Sequence, residues 1–238
     1  MNEIPYKKYL AFALPYSIAV SLLYLFGYWG FFRINVLEFV GFDDIAKLAL
    51  YPLLGSLLAL LAGFATSQVL LSDRFPPGGG TQSRIGQLGR KHWQGLIIVN
   101  FLLVLISASF LPLPGKWFVV AVLVSFFSTP MTHLDYFIAL IPNPRLRGTI
   151  LYLLIITAAL AFAFGNLDAH LAKTGYGKTI VDIERSKISL NTSESSLVMY
   201  LGFLGGYFVL YETTTDSLIL VKEKGDAPLV LRRNPKRS

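Results

Sequence analysis

The chain has no cysteine among its 238 residues. Disulfide bonds and thiolate metal sites are therefore excluded, and cysteine usage says nothing about the redox compartment. Charge is scarce as well: Asp, Glu, Lys and Arg make up 15% of the chain, against roughly 25% in an average soluble domain. Histidine occurs only as His92, His133 and His170, in none of the spacings that bind zinc, and no G-x-S-x-G nucleophile elbow is present. No catalytic residue, metal or cofactor is expected from this inventory, and the chain is read as a non-enzyme. A membrane enzyme built from scattered groups such as Asp135 or His170 is the last alternative.

Apolar surface stands in place of charge. Hydrophobic residues form 54% of the chain, more than one soluble core of this size requires, so lipid is expected to solvate much of it. Five apolar stretches run over 9–32, 48–71, 95–111, 117–141 and 149–164. The first follows Lys7 and Lys8, but it outlasts a signal-peptide core and ends in "GYWGFF" without a small-residue cleavage pattern. It is read as a retained span, with Tyr24, Tyr28 and Trp29 at the membrane interface. In the fourth, Pro130 signals a kink of the kind that neighbouring helices tolerate. The expected fold through residue 167 is a membrane all-α helical bundle of five transmembrane helices, or four if one run is re-entrant.

Of the formal charge of +7, the part before residue 168 lies mostly in short loops. With the N-terminus in the cytoplasm, Lys7, Lys8, Arg74, Arg84, Arg90, Lys91, Arg145 and Arg147 fall inside and only Arg33, Lys47 and Lys116 outside. The chain is thus expected to be a multi-pass inner-membrane protein. Its C-terminal domain would be extracytoplasmic with five spans and cytoplasmic with four. From Asp168 onward ten basic residues face eight acidic ones, so direct nucleic-acid binding is not expected.

The loop "DRFPPGGGTQSRIGQLGRKHWQG", residues 73–95, carries three consecutive glycines. No Lys-Ser or Lys-Thr follows them at the phosphate-loop spacing, so the stretch reads as a flexible connection. Arg84, Arg90, Lys91 and Trp93 suit headgroup and interface anchoring, with a cytosolic partner docking on 73–94 as the alternative. Gly55, Ala59 and Gly63 recur every four residues and share a helical face on which another backbone can approach closely. Ala159, Ala161, Ala163 and Gly165 supply similar faces. Packing within one subunit and homo-oligomerisation both use such faces. His133 and Asp135 in "STPMTHLDYF", with Asn100 as a neighbour, are the polar groups within apolar runs that mark a proton path, an ion path or a structural hydrogen bond.

From Asn166 the composition changes. "TIVDI", "LVMYLGF", "YFVLYE", "SLILVKE" and "PLVLRR" are short β-prone runs separated by the turn-forming "NTSESS", Gly205-Gly206, "TTTDS" and "KGDA". A small antiparallel β domain over 168–238, a barrel-like meander of about five strands, is expected to follow a helical domain over 1–167. In layout this resembles bacterial membrane effectors of anti-phage defence. The resemblance implies that the β part senses and the helices disturb the bilayer. The first functional expectation is accordingly an oligomeric, channel-like membrane effector whose β domain senses a ligand or partner. A non-conducting anchor, scaffold or immunity protein that binds another protein through that domain is the second.

Overall fold

A computed structural model of the chain describes residues 6–35, 38–39, 91–186, 197–223 and 228–235. The helices are α1 (Tyr6–Phe31), α2 (Trp93–Phe110), α3 (Lys116–Ser125), α4 (Ser128–Met131), α5 (Asp135–Leu140) and α6 (Pro144–Lys173). The strands are β1 (Thr179–Val181), β2 (Val198–Leu204), β3 (Tyr207–Glu212), β4 (Ser217–Lys222) and β5 (Leu231–Arg233). The chain divides into two compact units. One comprises Met1–Leu23 and Ala49–Ala163, the other Tyr24–Leu48 and Phe164–Ser238.

In the helical unit, α2 pairs with α3 through the Asn100 side-chain amide, which donates to the Leu123 carbonyl at 3.0 Å. The apolar stretch 117–141 is not one kinked span. Pro130 has no N–H to offer and its ring crowds the carbonyl four residues back, which is Phe126. The chain breaks there: Phe126 and Phe127 donate to the carbonyls of Leu123 and Val124 in tightened turns. The Ser125 and Thr132 hydroxyls cap the nearby carbonyls of Val122 and Thr129. A second break follows at Leu134, whose extended backbone precedes α5. Three helices of 10, 4 and 6 residues result.

These breaks correct the expected bundle of five, or four, transmembrane helices. Among the described residues one helix, Leu146–Lys173 within α6, is long and apolar enough to cross a membrane. The 48–71 stretch, with Gly55, Ala59 and Gly63, lies outside the described residues. The order of helices first and antiparallel sheet after is as expected.

Both ends of α6 have local causes. Pro144 occupies the first turn, where a missing N–H costs nothing, and the Asn143 side chain accepts from the Leu146 N–H at 3.3 Å. At the far end Gly175 takes a left-handed φ of +80°. Its N–H bonds the Ala172 carbonyl and that of Tyr176 bonds Leu171, the pairing that closes a helix on glycine.

The sheet unit holds a five-stranded antiparallel sheet in the order β4-β3-β2-β1-β5. Gly205 and Gly206, at φ +55° and +83°, make the two-residue turn between β2 and β3 that requires left-handed backbone at both positions. Alternation gives the sheet two apolar faces. On one, Ile180, Met199, Val209 and Tyr211 pack with Leu25, Trp29 and Phe32 of the α1 end and with Ala169 and Ala172 of α6. On the other, Val181, Val198 and Leu210 gather Tyr200, Phe208, Ile219 and Val221. Asn234 fastens the end of β5, its amide donating to the carbonyls of Gly175 and Gly177 at 2.7 and 2.9 Å.

Candidate functional site

The sheet unit contains a cleft of about 330 Å³, within the range in which small-molecule sites fall. The end of α1 supplies one wall, because Tyr24, Leu25, Tyr28 and Trp29 are spaced to share one side of a helix. Asp168 and Ala172, four residues apart on α6, supply a second. Gly177, Lys178 and Thr179 lead into β1, and β2 contributes from Tyr200 to Leu204.

The aromatic wall is held rigidly. The rings of Tyr24 and Tyr28 lie 6.3 Å apart and nearly parallel, and Trp29 stands edge-on to Tyr28 at 5.0 Å. Each tyrosine is also tied by its hydroxyl. Tyr24 donates to Asp168 Oδ2 at 2.9 Å and Tyr28 to the Leu201 carbonyl at 3.0 Å. Such rings present a fixed apolar surface at little entropic cost on binding.

A β-bulge between Tyr200 and Gly202 opens β2 at the cleft. A Cβ at position 202 would lie 3.1 Å from Trp29 Cζ2, tighter than an ordinary contact, so a larger residue there has to shift the Trp29 ring by a few tenths of an ångström. Burial pushes the Tyr200 hydroxyl above its ordinary range, so it stays neutral. Asp168, Lys178 and Thr179 add residues bearing an acceptor, a cation and a hydroxyl to a lining that is otherwise aromatic, aliphatic or glycine. That combination can hold a small polar molecule with an apolar ring or chain.

No protein-family model, curated protein or solved structure matches the chain. The geometry of the cleft therefore carries the functional reading.

The residues singled out from sequence do not converge. Asn100 bonds α3 rather than His133 or Asp135. His133 and Asp135 are exposed, two residues apart around the start of α5. Lys91 is exposed ahead of α2, which Trp93 opens. Gly55, Ala59, Gly63, Arg84 and Arg90 lie outside the described residues. His170 sits edge-on to Phe31 at 6.0 Å. Among the described residues no group of three or more His, Asp or Glu is placed to hold a metal.

The cleft residues were missed for a physical reason. Tyr24, Tyr28 and Trp29 carry the pattern of an interfacial belt, and belt and cleft wall demand the same amphipathic rings. Asp168, which accepts from Tyr24, is 144 residues away from it in sequence.

Proposed function

We propose that the protein is a membrane effector whose sheet unit senses a small ligand in this cleft. One observation carries the reading: Asp168 and Ala172, which line the cleft, stand on the last turns of the helix that is apolar enough to cross a bilayer. A ligand held against Asp168 therefore touches a membrane element directly. Arg145 and Arg147 lie at the start of α6, and on this proposal the bias of basic residues toward the cytoplasm puts the sheet unit on the outer face of the inner membrane. Homo-oligomerisation through Gly55, Ala59 and Gly63 enters this proposal from the sequence alone.

The test is induced expression with growth and membrane potential followed together. The effector reading expects arrest with depolarisation, altered by Lys178→Glu, which reverses a charge at the cleft on an exposed side chain. Normal potential with the protein abundant in the membrane fraction would sink it.

One feature favours the anchor reading as an alternative. In β4, an outer strand of the sheet, Leu218, Leu220 and Lys222 are exposed in alternation, and such an edge can accept a strand from another protein. Co-purification of one stoichiometric partner, lost in Leu220→Lys and without depolarisation, would support that reading instead.

A further inference from the structure

We infer that α2 of the helical unit is solvated by lipid acyl chains on every side except the stripe that faces α3. The observation is a helix turned inside out relative to a soluble one. Along α2 the less exposed positions are Ile97, Asn100, Val104, Ser107 and Ala108. At about 100° per residue the first four fall within one narrow sector.

This sector holds polar groups. Asn100 bonds the Leu123 carbonyl of α3, and Ser107 is 8% exposed. Close by, the Lys116 ammonium donates to the Ala108 carbonyl at 3.3 Å. Outward lie nine large apolar residues between Leu96 and Phe110, from 44% to 82% exposed. They sweep an arc of about 220° at that helical pitch. The consecutive Phe101, Leu102 and Leu103 are all among them.

In water the apolar side would turn inward, because hydrophobic burial is the main force between helices. In hydrocarbon that force vanishes, and helices associate through polar and small groups while large apolar side chains face the solvent. The arc also decides between lipid and a second protein. One partner helix covers a single stripe, and an arc this wide requires a solvent that surrounds the helix. No charged residue occurs within α2. The cations stand at its margins: Lys91 precedes it, and Lys116 beyond the turn lies 5.1 Å over the Trp117 ring, as interfacial anchors do. On this inference α2 is a membrane-contacting element outside the sheet unit, and its lipid contact is independent of ligand sensing in the cleft.

The absence of cysteine makes the test clean. Single cysteines at Phe101, Leu102 and Leu103 of the full chain, spin-labelled in phosphatidylcholine and phosphatidylglycerol vesicles, report collision with oxygen, which concentrates in acyl chains, or with a water-soluble nickel complex. The expected result is oxygen collision exceeding nickel at all three sites, with the ratio inverted at a Lys178→Cys control. Nickel exceeding oxygen at any of them, or shielding from both reagents, overturns the inference. The unlabelled chain gives an independent measurement, since acyl chains bearing a photoactivated diazirine should cross-link into the α2 peptide and spare β2 and β3. No insertion into α2 overturns it equally.

Discussion

Asn234 shows how much one side chain contributes near the C-terminus. Its buried amide joins two carbonyls of the turn between α6 and β1, while its own N–H bonds the Lys178 carbonyl. Asn234→Ala leaves the Gly175 and Gly177 carbonyls without this donor, at a cost of about 2 kcal/mol. Denaturant unfolding of the detergent-solubilised chain should report that loss. Asp216 acts at the surface. It pairs with Lys173 at 2.8 Å and accepts from the Tyr211 hydroxyl at 2.6 Å. The lysine first, and the tyrosine second, hold its carboxyl below the ordinary value of 3.8. A carboxylate lowered by folding stabilises the fold fully above its ordinary value, and that contribution fades as pH falls through the folded-state value. Asp216→Asn should therefore lower the unfolding midpoint at neutral pH, and the gap to the parent protein should close in strong acid. A gap that persists there would remove the ionic explanation. Tyr211 moves the opposite way, since burial and then Asp216 raise its hydroxyl, so its contribution is present at neutral pH and lost only in strong alkali.

Among elements, α6 contains two glycines with opposite roles. At Gly165 an added Cβ would overlap the Tyr24 carbonyl oxygen and approach the Tyr28 nitrogen, because α1 and α6 cross there backbone to backbone. At Gly148 the nearest atom would be Thr132 Cγ2 at 4.0 Å, an ordinary contact. Gly165→Ala should destabilise by about 2 kcal/mol or more through forced separation of the helices. Gly148→Ala should stabilise by up to about 1 kcal/mol, because alanine holds a helix better than glycine. Thermal unfolding of the pair distinguishes a packing role from propensity. Gly165 was among the small residues that sequence alone marks on this helix, yet nothing in that pattern separates it from Ala161 or from Gly148. The distinction is the backbone of α1, far away in the chain. The breaks around α4 have the same character: Pro130 announces a kink, whereas replacement of one span by three short helices also needed the hydroxyls of Ser125 and Thr132 and the extended Leu134.

For the whole molecule, the proposed orientation in the membrane bears on which molecules could reach the cleft. On that proposal, with Arg145 and Arg147 in the cytoplasm, a C-terminal tag should be cut by external protease in spheroplasts and protected in inverted vesicles. The reverse pattern would restrict the ligand to cytoplasmic molecules. Local signals let the sequence by itself determine a great deal here. Scarce charge and long apolar runs raised the expectation of a lipid environment, of which one described helix long and apolar enough to cross a bilayer is the part shown. Five β-prone runs with turn residues between them lie where the five strands stand, because alternation and turn chemistry act over a few residues. Tertiary structure alone decided that one described helix has the length and apolarity to cross a bilayer, and that Tyr24, Trp29, Asp168 and Gly202 enclose a cleft. Helix length depends on hydrogen bonds competing at a break, and a cleft depends on which distant segments meet. Neither is written in the order of neighbouring residues.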